Sequence, residues 1–357
     1  MTRWILIFAT LSPAIALSCA PHYKTCAPST DPASSTEDSA YKERSGKRPF
    51  EPFIGKRWIG NGISYGPYRD GQSPIGGQWP SKDDLREDLH LLSEHWNLLR
   101  MYGSRGPAET VVQLIHDEEI SMKVMLGAWI DTELRFAEDG SIAERFPATV
   151  AANRGEVETA IKLANAYPDV VIAVSVGNET QVSWSFHKVR TEVLLDYIRQ
   201  VRARANVPVT TADDFSYWNT RESKQLAGEV DFIVMHAYAM WWGQSLDNAV
   251  AFTKEKYAEV AAMHPRHQIV IGETGWATKR HSEGEQARLM AGVAGEHQQK
   301  VFYDDFIAWT TQQRIANFYF EAFDENWKGG AHPDEVEKHW GLFRADRTPK
   351  LAMEGRE

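Results

Sequence analysis

Cysteine is nearly absent: the 357 residues hold two, Cys19 and Cys26, both close to the start. A disulfide-stapled fold is thereby excluded, because cleavage or modification at Cys19 leaves no intrachain pair. Basic charge is also short. Lysine and arginine total 39 against 49 acidic residues, a formal net charge of −10. A surface that binds nucleic-acid phosphates needs the opposite balance, so no nucleic-acid partner is expected. No glycine-rich phosphate fingerprint follows the first apolar run of the body, WIGNGISY at 58–65, which counts against a dinucleotide fold. His236 has no neighbouring Cys or HxH partner, and His264 and His267 show no ligand-like spacing. No metal and no cofactor is expected.

Residues 1–20 carry one basic residue, Arg3, then an apolar core and small residues near Cys19. This reads as a secretory signal, too short and too soon followed by polar sequence to span a membrane. Its end has two readings. Ala16-Leu17-Ser18-Cys19 resembles an imperfect bacterial lipoprotein box that would lipidate Cys19 and tether the chain to a membrane. Ser18-Cys19-Ala20 can equally serve as a cleavage site after Ala20. Either way the protein is expected outside the cytoplasm: secreted, periplasmic or at the cell surface, with an outer-membrane lipoprotein of a bacterium as one form. Residues 21–52, rich in Pro, Ser and Thr, read as a disordered polar tether, and 53–357 as one catalytic domain.

The body alternates short apolar runs with longer amphipathic ones. Strands are expected at 58–65, 96–102, 122–129, 170–176, 207–212, 230–238, 267–276 and 315–323. Helices are expected after Ser81, which can cap with Asp83 and Asp84 in the first turn, and near 110–119, 154–167, 188–204 and 283–309. Eight strand–helix alternations argue for a parallel sheet closed into a (β/α)8 TIM barrel rather than an open doubly wound sheet. The protein is expected to be a monomer.

Catalytic groups of such barrels gather at the C-terminal ends of the strands. The organising stretch is 170–180, VVIAVSVGNET. It is a β-branched run suited to burial on both faces, and it ends on Asn178 and Glu179. The seventh strand, HQIVIGETGW at 267–276, ends in the same manner on Glu273 and Trp276. Two carboxyl groups facing each other across a barrel suit glycoside cleavage: one protonates the leaving oxygen and the other attacks the anomeric carbon. The bland reading, two loop-edge carboxylates capping the next helices, weakens when both sit in matching Gly-(Asn)-Glu-Thr settings. Other tempting residues read modestly. His236 is expected to be a hydrogen-bonded core residue. Asp213-Asp214 reads as a helix cap or subsite wall, and Glu321 as a partner for Arg100. Trp241 and Trp242, just past the sixth strand, are expected to form a sugar-stacking platform, and Trp276 to line the substrate.

Gly177-Asn178-Glu179 and Gly272-Glu273-Thr274-Gly275-Trp276, in this order, resemble glycoside hydrolase family 17, the β-1,3-glucanases. The resemblance runs from about Trp58 to about Phe343 through GISYGPY (62–68), RMYG (100–103), HAYAMWWG (236–243), FEAFDENWK (320–328) and HWGLF (339–343). It implies Glu179 as acid/base and Glu273 as nucleophile in a retaining double displacement, with Asn178 on the sugar 2-hydroxyl. It implies Tyr238 as the tyrosine bonded to the nucleophile, and Tyr102, Glu325 and Lys328 as cleft residues. The implied substrate is a β-1,3-glucan of the laminarin type, cleaved with endo action favoured. GNGISYGPYRDGQSP and FEAF are closer to the bacterial and fungal arm of the family. That arm includes glucanosyltransferases, which transfer the glycosyl unit to another sugar. A non-catalytic surface glucan-binding protein is the alternative from another class, disfavoured by the presence of both glutamates.

Overall fold

The computed structural model describes residues 46–137 and 139–356. Among these residues, eight parallel strands close a barrel in sequence order: β1 (Asn61–Ser64), β2 (Leu98–Arg100), β3 (Lys123–Ala128), β4 (Val171–Asn178), β5 (Val209–Asp214), β6 (Ile233–His236), β7 (Ile269–Thr274) and β8 (Asn317–Tyr319). Closure is made where β8 pairs with β1, Phe318 opposite Gly62. The helices α1 (Lys82–Ser93), α2 (Pro107–Asp117), α3 (Pro147–Ala166) and α4 (Thr191–Arg204) follow the first four strands. After β5 come α5 (Phe215–Trp218) and α6 (Ser223–Glu229), then α7 (Leu246–Met263), α8 (Gly284–Leu289) and α9 (Glu296–Gln313). The barrel expectation is met, and each expected strand overlaps one of the observed ones, β4 and β5 running two residues past their expected ends.

Local chemistry accounts for the helix starts. Ser81 caps α1 in a reciprocal box: its Oγ accepts from Asp84 N at 3.1 Å while Asp84 Oδ2 accepts from Ser81 N at 2.9 Å, satisfying two donors that the helix itself cannot. Pro107 opens α2, where its missing N–H costs nothing. The helix expected at 283–309 is interrupted instead between α8 and α9. A Cβ on Gly292 would lie 2.6 Å from the Trp276 ring, so the chain breaks here to seat that indole. α7 was expected only as a helix leading into the loop at His264, without a start: Ala249, Phe252, Thr253 and Val260 alone are buried along its eighteen residues, too thin a stripe to mark one. A small hairpin, Leu134–Phe136 with Ile142–Arg145, went unanticipated in the loop after β3.

The barrel interior is filled, not hollow. Its lower layers hold Leu98, Met125, Val234, Val270 and Phe318, and Phe50 closes the base, stacked on Phe232 at 5.0 Å. Lys47 Nζ donates to Ala227 O and Gly228 O at 2.8 Å, and Arg48 Nε to Asp231 Oδ2 at 2.9 Å. The folded body thus begins ahead of the expected boundary at 53, and 47–52 are part of the barrel base rather than of a disordered tether. The signal at 1–20, Cys19, Cys26 and the tether up to residue 45 lie outside the described residues. Among the described residues, no helix is long and apolar enough to cross a membrane.

Candidate active site

β4 delivers Glu179 by turning sharply at its end. Gly177 and Glu179 both take left-handed backbone, φ 76° and 47°, an arrangement that a non-glycine residue rarely adopts and that clusters at functional sites. Two hydrogen bonds to β5 hold the turn. Glu179 N donates to Ala212 O at 2.8 Å, and Gln181 N donates to Asp213 Oδ2 at 2.8 Å. The other oxygen of Asp213 accepts from Asp214 N at 2.9 Å, so both oxygens are spent on backbone. Burial, then the neighbouring Glu179 charge, pushes the Asp213 carboxyl well above the usual carboxylate range. Asp214 caps α5 through Ser216 N, as its helix-cap reading expected.

β7 places Glu273 opposite His236 of β6. Glu273 is almost wholly enclosed, its side chain 6 % exposed against 21 % for Glu179. Its Oε1 accepts from Arg100 Nη1 at 2.6 Å and from Tyr102 Oη at 2.9 Å, and its Oε2 accepts from Tyr238 Oη at 2.7 Å. Burial alone would raise its pKa. The His236 and Arg100 charges and the bonds from Tyr238 and Arg100 outweigh burial and hold it down at about 2. Glu273 is therefore a carboxylate kept ionised at any ordinary pH.

Arg100 is the central tie; expected at a strand end and as a partner for Glu321, it was not expected to hold Glu273 and Asn178. Buried at the end of β2, it donates through Nη1 to Glu273 and to Gly272 O (3.1 Å), and through Nη2 to Asn178 Oδ1 at 2.6 Å. A guanidinium only donates, so the Asn178 oxygen must face it and the amide NH2 points away, available to a sugar hydroxyl. The expected pairing of Glu321 with Arg100 is corrected. Glu321 binds Lys328 instead, Nζ lying 2.8 and 2.7 Å from its two oxygens and 2.7 Å from Glu325 Oε2. Two buried carboxylates share one ammonium here. Burial raises Glu321 strongly, against the pull of Lys328 and with the push of Glu325. Trp327 Nε1 donates to Glu325 Oε1 at 2.9 Å, so Glu325 is enclosed by its partners and Lys328 is the more open member of the expected cleft pair.

His236 is fully buried, as its core reading expected, but it sits between the two glutamates, hydrogen-bonded to Glu179 and only close to Glu273. Nδ1 lies 3.3 Å from Glu179 Oε1 and Nε2 3.5 Å from Glu273 Oε1. One donor atom from each of these three residues falls within 4.8 Å of the others. The Arg100 guanidinium, 2.6 Å from Glu273 Oε1, puts a positive charge beside this set and so disfavours a cation there. The same set has a Glu179 oxygen within 4.8 Å of a Glu273 oxygen, compatible with the roughly 5–5.5 Å of retaining glycosidases and short of the roughly 6.5–9.5 Å of inverting ones.

The expected tryptophans divide. Trp276 is corrected: it is fully buried against Phe302, with Nε1 donating to Val293 O at 2.9 Å, and has no face for a sugar. The Gly-Trp ending that made it look like a site residue instead supplies core. Trp241 is half-buried and donates to Glu337 Oε1 at 3.1 Å. Trp242 remains 37 % exposed, resting on Phe215. Trp129, one of the residues expected at the strand ends, is half-buried at the end of β3. Its ring lies 4.4 Å from that of His187, whose Nε2 is 2.6 Å from Asn178 O.

Asp213→Asn tests the support beneath Glu179. An amide oxygen can accept at one backbone N–H but its NH2 clashes electrostatically with the other. The expected result is a kcat roughly 10- to 100-fold lower with KM little changed, in a protein of near-normal Tm. Unchanged kcat would remove Asp213 from this role.

A closed (β/α)8 barrel with two facing glutamates at the ends of β4 and β7 defines a glycoside hydrolase. The chain belongs to the BtgE/BtgC glycoside hydrolase domain family, whose model spans residues 62–341. It is 27% identical to a glucan 1,3-beta-glucosidase of Arthroderma benhamiae over 77% of this chain and 85% of that one. It is 26% identical to the glucan endo-1,3-beta-glucosidase btgC of Emericella nidulans over 82% of this chain but 45% of that protein, so it spans less than half of that relative. Among solved structures it is similar to an endo-laminarinase from Formosa, with TM-score 0.71, 27% identity and coverage of 83% and 87% of the two chains. It is also similar to an active-site mutant of a Rhizomucor miehei β-1,3-glucanosyltransferase in complex with laminaritriose, with TM-score 0.63, 25% identity and coverage of 82% and 96%.

Proposed function

We propose that the protein is a retaining enzyme cleaving β-1,3-glucan by double displacement, with Glu273 as nucleophile and Glu179 as acid/base, and with endo action favoured. The observation that carries the role assignment is the asymmetry of the two carboxylates. Glu273 is buried and held ionised by Arg100, Tyr102 and Tyr238, as an attacking group must be. Glu179 is more open and has His236 beside it, as suits a group that gives a proton to the leaving oxygen and later takes one from water. In the first step a Glu273 oxygen bonds the anomeric carbon as the C–O bond to the leaving sugar breaks, and the Glu179 proton goes to that oxygen. In the second, Glu179 takes a proton from water as the water oxygen displaces Glu273. Asn178, its NH2 turned from Arg100, holds the neighbouring hydroxyl. The names of the similar proteins support a glucan linked β-1,3 as the substrate. Export from the cytoplasm, with or without lipid on Cys19, is part of the same proposal.

A second reading, transfer to a sugar acceptor instead of water, is favoured by the likeness to the Rhizomucor glucanosyltransferase and by exposed Trp242, which can hold an acceptor ring. Incubation with laminari-oligosaccharides of defined length, followed by mass, separates the two. Shorter products only are expected. Products longer than the substrate would move the reading to transferase, and binding without turnover would sink catalysis altogether.

A further inference from the structure

Outside the catalytic centre, Trp79 stands 54 % exposed. It is not a loose side chain. The turn before it is closed by Ser73 N donating to Gln78 O at 3.1 Å and Gly76 N to Ser73 Oγ at 2.8 Å, and the Ser81 capping box follows it directly. The indole lies over Gly106, where a Cβ would come within 3.0 Å of the ring and where the backbone takes φ 62°. Glycine at this point serves the tryptophan as well as the turn. Beneath Trp79, between the first turns of α1 and α2, lies a groove of about 360 Å³ lined further by Lys82, Glu109, Thr110 and Gln113. Trp79 belongs to the loop after β1 and Gly106 to the loop after β2, so the groove opens on the barrel face that carries Glu179 and Glu273.

A rigid, half-exposed indole is a flat apolar platform that desolvates favourably against the C–H face of a pyranose. Around it stand a hydroxyl, an amide, one cation and one anion. The lining sets one cation against one anion, and Glu109 also lies 3.9 Å from Lys162 outside the groove, so no cluster of like charge marks it for an ionic ligand, while all four side chains can bond hydroxyl groups. We infer that the Trp79 groove is an accessory site for the sugar rings of a neutral β-glucan chain, outside the catalytic centre and on the same face. This rests on the proposed glucan substrate. The site would hold a polymer whose other residues lie in the cleft, adding affinity through effective concentration.

The test uses the full chain. Affinity electrophoresis through laminarin, in a Glu273→Gln background that prevents digestion, compares Trp79 with Trp79→Ala. Turnover of laminaritriose and of laminarin is measured with Glu273 intact. Trp79→Ala is expected to weaken laminarin retention roughly three- to tenfold and to raise KM for laminarin similarly, with kcat/KM for laminaritriose within about twofold of wild type. Gln113→Ala, which keeps the indole, is expected to give a smaller loss in the same direction. Unchanged retention in Trp79→Ala, or an equal loss on the trisaccharide and the polymer, overturns the site. Wild-type turnover of laminarin with unchanged retention in the variant would overturn the groove and leave the functional reading standing. Retention lost in Trp79→Ala, where the wild type turns over neither substrate, would keep the groove and overturn that reading.

Discussion

Glu273→Gln is expected to lower kcat on laminari-oligosaccharides by about 10³-fold or more, with Tm close to wild type. The amide is the same size and is still reached by Arg100 and the two tyrosines, but it has no anionic oxygen to attack the anomeric carbon. Glu179→Gln is expected to match this loss on natural glucan, where the leaving sugar must be protonated. The two variants part on an aryl β-glucoside whose phenol leaves without a proton. There Glu179→Gln should recover most of the first, glycosylating step, seen as a burst of phenol, and Glu273→Gln should show none. A burst from the Glu273 variant and none from the Glu179 variant would reverse the roles. Substantial steady turnover in either would mean the wrong carboxylates have been chosen.

Arg100→Met is expected to have the largest combined effect. The guanidinium holds Glu273, Asn178 and the Gly272 carbonyl at once, and its loss leaves Glu273 as a buried charge without its closest cation. Breaking a buried pair on one side typically costs about 3–5 kcal/mol, so a clear fall in Tm at pH 7 is expected, together with loss of most activity. The pH dependence has a definite sign. In the folded wild type Glu273 is depressed to about 2, below the roughly 4.3 of an unfolded glutamate. Its stabilising contribution is therefore complete above the unfolded value and is lost as pH falls from there through the folded one. Removing Arg100 raises the folded value, so this contribution shrinks and the acid-unfolding midpoint moves to higher pH. The acid limb of kcat/KM should move the same way. Melting curves and initial rates between pH 2 and 7 would show it. Arg100→Lys should rescue little, since one ammonium cannot span Glu273 and Asn178 as the fork does. An unaltered acid limb in Arg100→Met would show that Glu273 does not depend on this residue.

The alternation that makes the barrel is written locally along the chain, and with it the two strand-end glutamates. Apolar runs of strand length separated by amphipathic segments are local signals, as is Ser81 with Asp84 at the start of α1; Pro107, which opens α2 ahead of the start expected near 110, was a local signal left unused. The C-terminal ends of barrel strands share the face that carries the site, which with the family resemblance is why Glu179, Glu273, Asn178, Tyr102 and Tyr238 could be named in advance. Which groups pair across the barrel depends on how the strands and loops come together in space. Arg100 reaches Glu273 over a separation of 173 residues and Asn178 over 78. Lys328, only 7 residues from Glu321, takes the partner that the strand-end pattern had suggested for Arg100. Trp276 and Trp242 are the same residue type just past neighbouring strands, yet one is wrapped by Phe302 and the Gly292 bend and the other is open. The physical reason is common to these cases. A strand's pattern says which side chains leave the sheet on one face, but the neighbour that each one meets is set by barrel closure, inter-strand register and the loops folded over the rim.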